Sequence, residues 1–329
     1  MRYIIIFIFI FLLYNCSHTM EIIFESYHDI ELTPLEYPDL IGIPLEILKK
    51  DNYLLIADFS GDSLISVFNI DNKRINKMAS VGKGPGEVIP PITMQLYDEK
   101  LYICSRGNFI FYNILSSEIG KDKTKFIKLF NAPPQTDQIC VLSEGKYVST
   151  GFFQNQRYNL LDSAGNIMKT FGEFPDLWDE EKHIPNEAKA LFHQCSMHKN
   201  PQKSLFATVA SHVLEIWAFD DDSFQRISQI KAGAYQYLYL TGNRLKVKRT
   251  GSTTRGMRSA NCTEKYIYAV YKTDDVEMTS VWVFDWMGRP VKCLRSEKDI
   301  YTLCVDEVLQ VAYCIVFDPE PVLMSFNIP

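Results

Sequence analysis

The chain opens on one unbroken apolar run and then changes character. Tyr3 to Tyr14 form a twelve-residue apolar stretch behind Arg2. From about residue 30 onward, short runs of β-branched and aromatic residues alternate with polar turns, and no amphipathic helix of ordinary length interrupts them. That pattern predicts an all-β chain. The 18 Tyr and 21 Phe suit the half-buried, pleated surfaces of strands.

The pattern also recurs. Asn52 to Ala79, NYLLIADFSGDSLISVFNIDNKRINKMA, divides into a strand (Tyr53–Asp58), a turn (Ser60–Ser63), a strand (Leu64–Ile70), a turn at Asp71-Asn72 and a closing strand. The same order starts again at Glu99, Gly145, Lys203, Glu264 and Val308. Tyr53, Leu101, Tyr147, Leu205, Ile267 and Gln310 hold comparable places, 48, 46, 58, 62 and 43 residues apart. Such spacings fit one four-stranded blade per repeat, with two longer insertions. Without helices between the strands an α/β fold fails, and a two-sheet sandwich would not require a six-fold recurrence. The prediction is a six-bladed β-propeller of antiparallel, four-stranded blades over residues 30–329. A propeller has to cover its sheet edges, so Ile30–Leu35 are expected to act as a clasp beside Val322–Ile328.

The N-terminal run is too short to span a bilayer, which takes about 18 or more apolar residues, and reads as a secretory signal. It ends in Leu13-Tyr14-Asn15-Cys16, which resembles a bacterial lipobox, with Asn15 where a small residue is usual. The resemblance implies cleavage after residue 15 and acylation of Cys16, leaving residues 16–29 as lipidated cysteine and tether. Buried acyl chains hold a protein to a membrane at about 0.8 kcal/mol per CH₂. The expected location is the bacterial cell envelope, at the outer membrane. Ser-His-Thr-Met-Glu after the cysteine, rather than an acidic run, favours the periplasmic side.

Charge narrows the partners. A net charge of −6 and the lack of any basic tract give no reason to expect nucleic acid. Seven cysteines follow Cys16, an odd number, with no C-x-x-C pair, and most lie inside strand-like runs. They read as buried free thiols, although an exported chain leaves one disulfide open.

The segment Val81 to Pro91, VGKGPGEVIPP, has the glycines and lysine of a phosphate cradle. Its lysine sits between glycines, however, and its prolines prevent the helix such a cradle needs. It therefore reads as a connector from one blade to the inner strand of the next, Ile92–Tyr97, with Glu87 accepting hydrogen bonds from turn amides. The longer string KMASVGKGPGEVIPPITMQLYDEKLYICSRGNFIFYNI resembles the repeat of NHL-type and TolB-like six-bladed propellers. With the lipobox and FATVASHVLEIWAFD at Phe206–Asp220, the chain is similar to TolB-like propeller lipoproteins of Bacteroides-type bacteria. Only the first inter-blade turn keeps the full glycine pattern; Phe171-Gly172-Glu173-Phe174-Pro175 is a partial echo. The resemblance implies a cell-envelope propeller and specifies architecture rather than activity.

No sialidase-type Asp box, G-x-S-x-G elbow or H-E-x-x-H pair is present, so no catalytic, cofactor or metal residues are assigned. His193 and His198, around Cys195, come closest to a metal cluster but read as a strand and turn. The acidic runs Asp176–Glu181 and Asp220–Asp222 read as solvated turns. Arg249, Arg255 and Arg258 are the candidate anion contacts, should their loop overhang the channel. The insertion Phe174 to Leu191 is expected to cover one mouth, presenting Trp178, with a short helix beginning at Pro185-Asn186-Glu187. Two functions follow as expectations. The first is a lipid-anchored binding or scaffold module for a peptide, glycan or envelope protein. The alternative is a propeller hydrolase or lyase with a metal at the central channel.

Overall fold

The computed structural model describes residues 22–84, 86–121, 124, 126–176, 182, 184–232, 256–272 and 278–329. Two short strands come first, β1 (Ser26–Asp29) and β2 (Thr33–Pro34). Blade 1 is β3 (Pro44–Lys50), β4 (Tyr53–Asp58), β5 (Ser63–Asn69) and β6 (Ile75–Ser80). Blade 2 is β7 (Ile92–Tyr97), β8 (Lys100–Ser105), β9 (Ile110–Leu115) and β10 (Ile127–Asn131). Blade 3 is β11 (Thr136–Ser143), β12 (Lys146–Gly151), β13 (Tyr158–Leu161) and β14 (Ile167–Phe171). A helix α1 (Asn186–Phe192) leads into blade 4, with β15 (Cys195–Lys199), β16 (Leu205–Ala210), β17 (Val213–Asp220) and β18 (Ser223–Lys231). Blade 5 is β19 (Gly256–Cys262), β20 (Tyr266–Lys272), β21 (Thr279–Asp285) and β22 (Pro290–Ser296). Blade 6 takes three strands from the end of the chain, β23 (Asp299–Asp306), β24 (Val311–Phe317) and β25 (Pro321–Asn327). Within each blade the strands meander antiparallel, and β3, β7, β11, β15, β19 and β23 pack one against the next in a closed ring. This is the six-bladed propeller that the repeat predicts.

Strand periodicity explains the packing. Alternate residues of a strand point to opposite faces of its sheet. In β4, Leu55 and Ala57 face blade 2, whereas Leu54 and Ile56 face blade 6. In β8, Leu101 and Ile103 face blade 1 while Tyr102 and Cys104 face blade 3. The same split holds in β20, where Ile267 and Ala269 join blade 4 and Tyr268 and Val270 join blade 6. Both faces of these middle strands are therefore buried, which is why they read as continuous apolar runs rather than as a polar–apolar alternation. Each of the six blade-to-blade interfaces carries its own hydrophobic cluster.

The ring closes where the sequence places the clasp. β2 pairs antiparallel with β25, Thr33 opposite Ser325 and Pro34 opposite Met324, and Leu35 N donates to Leu323 O at 2.9 Å. The boundary of the domain differs from the expectation, because part of the segment read as a tether belongs to the propeller. β1 pairs parallel with β22 and gives blade 5 a fifth strand. Ahead of it, Phe24 is buried against Trp282 and Phe284, with ring centroids 5.6 and 5.7 Å away. The pattern SYHD carries no apolar signal, so only the structure reveals this strand.

The connector Val81 to Pro91 joins β6 to β7, and its described residues form no helix. Glu87 N donates to Gly84 O, Gly84 N donates to Glu87 Oε2 at 2.7 Å, and a bridge links Val81 to Val88. A Cβ at Gly82 would stand 1.9 Å from that carboxylate, so a larger residue there would push the Glu87 side chain aside. Of the loop's amides, Gly84 N is turned onto the loop's own acid and Gly82 N onto Val88 O. As expected for buried free thiols, Cys104, Cys140, Cys195, Cys293, Cys304 and Cys314 are buried and unpaired, and Cys262 is half-buried.

Phe24 tests the position of the domain boundary. Phe24→Ala should lower unfolding stability by about 3 kcal/mol in chemical denaturation, while Glu25→Ala, on an exposed neighbour, should change it little. A Phe24→Ala protein as stable as the parent would return these residues to a tether.

Candidate functional site

An inner strand has a hydrogen-bonding partner on one edge only; its other edge faces the channel and the next blade. Side chains satisfy that edge. Glu46 Oε2 accepts from Met94 N at 2.9 Å, Gln95 Oε1 from Val141 N at 2.7 Å, Gln138 Oε1 from Met197 N at 3.1 Å and Asn261 Oδ1 from Val305 N at 3.0 Å. Lys49 and Asp306, 2.7 Å apart, join blade 1 to blade 6. Each bond runs from one blade to the next, so the channel wall is a stitched belt.

The inner strands end around a lower cavity of about 420 Å³, lined among others by Glu46, Gln95, Tyr97, His198, Lys199 and Asn261. Burial pushes the Glu46 carboxyl up to about 7, only partly offset by the Met94 amide, and burial pushes His198 down to about 4. His198 Nε2 lies 2.9 Å from Ser196 Oγ. His198 is thus neutral at neutral pH, Glu46 is held at the edge of its ionisation, and both are already engaged in hydrogen bonds.

The inner strands begin around an upper cavity of about 610 Å³. Here four strands slip by one residue against their partners: β3 between Pro44 and Glu46, β11 between Thr136 and Gln138, β19 between Met257 and Ser259, and β23 between Ile300 and Thr302. A bulge re-aims the extra side chain away from the ladder. The extra residues are Leu45, Asp137, Arg258 and Tyr301, and the last three line the cavity. Gly256 launches β19 at φ +72°, with Met257 N donating to Ser211 O at 2.7 Å. A Cβ on Gly256 would stand 1.9 Å from that same oxygen, so a glycine is needed two residues before Arg258.

The upper charges come in sets. Arg106 pairs with Asp137, whose carboxyl is raised by burial despite the guanidinium. Asp299 sits 2.9 Å from Arg258 and 2.7 Å from Lys272, and accepts from Thr279 Oγ1 at 3.2 Å. Burial opposes its charge, but Lys272 and Arg258 outweigh it and hold the carboxyl below its ordinary range. The Arg258 guanidinium also lies 5.8 Å from the centre of the Tyr301 ring, which meets Phe317 edge-on at 5.3 Å. Behind the cavity, Glu215 is fully buried between Arg157 and Arg226 and accepts from Gln229 Nε2 at 2.8 Å. Cys195 lines the cavity, but burial raises its thiol above the ordinary range despite Arg157.

Of the sequence candidates, Arg258 is on an inner strand at the upper mouth rather than on an overhanging loop. Arg249, Arg255, Trp178 and Cys16 lie outside the described residues. The short helix expected at Pro185 is α1, with Ala188 and Ala190 buried, so this insertion contributes to packing. His198 is in strand β15, and Asp221 and Asp222 form a turn that pairs with Lys146. Among the described residues, no three or more His, Cys, Asp or Glu side chains converge as metal ligands. Sequence reasoning missed Asp137, Asp299 and Tyr301. Aligning the inner strands would have helped, since each bulged residue precedes a polar one: Glu46, Gln138, Ser259 and Thr302.

The Glu46 carboxyl provides a pH test of the belt. Unfolded it titrates near 4.5 and folded near 7, so the folded state holds the extra proton between these values, and stability falls as pH rises from about 4.5 to about 7. Glu46→Gln keeps an acceptor for Met94 without the charge. Urea unfolding should find it close to the parent at pH 5 and more stable at pH 8 by on the order of 2 kcal/mol. The same difference at both pH values would show that Glu46 is not buried as a carboxylate.

The model of the TolB-like 6-blade propeller-like family matches residues 32–308. No curated protein matches the chain in sequence. Among solved structures, a Bacteroides fragilis protein named as exported is similar at 14% identity, covering 91% of this chain and 98% of its own, with a TM-score of 0.61. A member of the DUF4221 family from Bacteroides vulgatus is similar at 11% identity over 90% of this chain and 97% of its own, with a TM-score of 0.54. Regucalcin from Agrobacterium tumefaciens, named as a calcium-binding protein, is similar at 8% identity over 92% and 95%, also with a TM-score of 0.54. At these identities the structural likeness is one of fold. The family match covers most of the chain, blades 1 to 5 and the start of blade 6, and on it the chain belongs to the TolB-like six-bladed propeller family.

Proposed function

We propose that the chain is a lipid-anchored protein of the bacterial cell envelope that binds a ligand at the upper mouth of its propeller. The observation that carries this reading is the set of bulges in β11, β19 and β23, which turn Asp137, Arg258 and Tyr301 into one cavity. Three unlike side chains, an acid, a base and an aromatic ring, converge there from three separate blades. Asp137 and Arg258 also pair across blade boundaries, but among the described residues the Tyr301 ring beside them makes no hydrogen bond to a neighbouring blade and lies in the cavity lining. A concave site with a few convergent polar groups is the usual form of a small-ligand site. The anchor rests on Arg2, the apolar run and Leu13-Tyr14-Asn15-Cys16. The name of the Bacteroides fragilis relative supports export.

Two measurements test the reading. In cells fed an alkyne fatty acid, the parent chain should take up label and sediment with membranes, and Cys16→Ala should do neither; labelled Cys16→Ala would remove the anchor. In a thermal-shift screen of glycans, peptides and envelope proteins, a ligand of the mouth should raise the melting temperature of the parent. That shift should be lost in Arg258→Gln, whose fold is protected because Lys272 still neutralises Asp299. A ligand that stabilises both proteins equally binds elsewhere.

A further inference from the structure

The geometry points to a saccharide bearing a carboxylate as the ligand of the upper mouth, an inference that rests on the reading of that mouth as a binding site. The first reason is the aromatic wall. Tyr301 and Phe317 meet at 79°, and Phe317 is 38% exposed although it is large and apolar. A ring left exposed at the mouth, beside an ion pair, suits an occupant with one apolar face and a polar rim. The C–H face of a pyranose has that character, and its hydroxyls supply the rim.

The second reason is the kind of polar group around the wall. Gln138 spends its carbonyl on Met197 N, which leaves its NH₂ as a donor, and Gln194 and Ser196 add neutral groups to the lining. The Arg258–Asp299 pair sets a planar donor beside a planar acceptor. Planar amides, guanidinium and carboxylate bind two neighbouring hydroxyls at once, because their paired atoms match the spacing of a vicinal diol. A cavity of about 610 Å³ also falls within the usual size of small-ligand sites.

The third reason is charge. The two ion-pair sets hold three cations, Arg106, Arg258 and Lys272, against two carboxylates, Asp137 and Asp299. The sets together carry one net positive charge, with Arg258 in the cavity lining and Arg106 and Lys272 holding the carboxylates from outside it, which favours a sugar acid over a neutral or cationic sugar. An extended peptide, the main competitor, commonly adds itself to a free sheet edge. At the inner edges, backbone amides of four blades are already taken by Glu46, Gln95, Gln138 and Asn261. Along the middle and lower channel those backbone amides are thus closed to a peptide, and at the mouth the bulges turn Asp137, Arg258 and Tyr301 towards a ligand.

Calorimetric titration of the purified full-length protein in detergent tests this with tetramers of galacturonic, glucuronic and mannuronic acid and their neutral counterparts. At least one acidic tetramer should bind about tenfold more tightly than its neutral partner, a preference that Arg258→Gln should abolish. Tyr301→Ala should weaken binding by about tenfold, whereas Tyr301→Phe, which keeps the ring, should hold it within about threefold. Circular dichroism shows whether each variant is folded, and Phe317→Ala gives a second probe of the wall should Tyr301→Ala unfold. Failure of all three acidic tetramers to bind, equal affinity for the neutral forms, or folded Tyr301→Ala and Phe317→Ala proteins that bind as the parent does would each overturn the inference. A peptide panel run alongside separates the two levels. Peptide binding lost in Tyr301→Ala would keep the mouth as a site and end the saccharide assignment, while silence from both panels would end the reading of the mouth itself.

Discussion

Every blade of this protein is apolar on both faces, and that constraint governs the rest of the structure. A sheet with two greasy faces has no stable existence alone, because burying one face leaves the other in water. Six such sheets solve the problem only as a closed ring, in which each face meets a neighbour and no face is last. The parity of β4, β8 and β20 is the sequence form of that requirement. Closure is also why the N-terminal strand is found beside the C-terminal one. Pairing β2 with β25 ties the ends across the sixth blade, so opening the ring at that blade would break hydrogen bonds as well as expose apolar surface.

Closure creates a second problem at the centre. The six inner strands turn an edge to the axis, and edge amides need partners. Along the middle and lower channel the partners are the side chains of the belt, and the result is a wall whose polar groups are occupied. At the upper end the strands begin, the ladder slips by one residue in four of them, and side chains are turned into the cavity instead. The same edge is thus closed by side-chain bonds along one stretch and opens on a cavity at its start. The mouth residues serve both purposes: Asp137 ties blade 3 to Arg106 of blade 2, and Arg258 ties blade 5 to Asp299 of blade 6, while all three of Asp137, Arg258 and Asp299 line the cavity.

How much of this the sequence discloses follows from the same physics. The blades were legible because strands buried on both faces give long apolar runs between polar turns, and because six copies repeat. The clasp was legible because a ring has to be closed somewhere, and Ile30–Leu35 was the apolar segment at hand. β1 was not legible, since Ser26, Tyr27, His28 and Asp29 form a strand only through main-chain pairing with β22. The site was barely legible. A bulge leaves no compositional trace, and Asp299 lies 41 residues from Arg258, so only folding reveals that they meet. Arg258 drew attention as part of a basic cluster, yet it is its place in the inner strand that brings it to the mouth.

The two ends of the channel differ in a way that sets their roles. At the lower end Glu46 and His198 are driven towards neutrality by burial, and Lys49 is matched one to one by Asp306. Lys199, which also lines that end, holds its ammonium on the carbonyls of Asn200 and Lys203. At the upper end Lys272 and Arg258 keep Asp299 ionised, and a guanidinium lies over an aromatic ring. Those charges persist because each has a partner, and because they persist they can orient an incoming dipole or anion without first being created by it. Preorganised, partnered charge at a concave opening lowers the cost of fixing a ligand's orientation. By that criterion the upper mouth is the end that fits the ligand site proposed for it, while inter-blade bonds hold the ring at both ends.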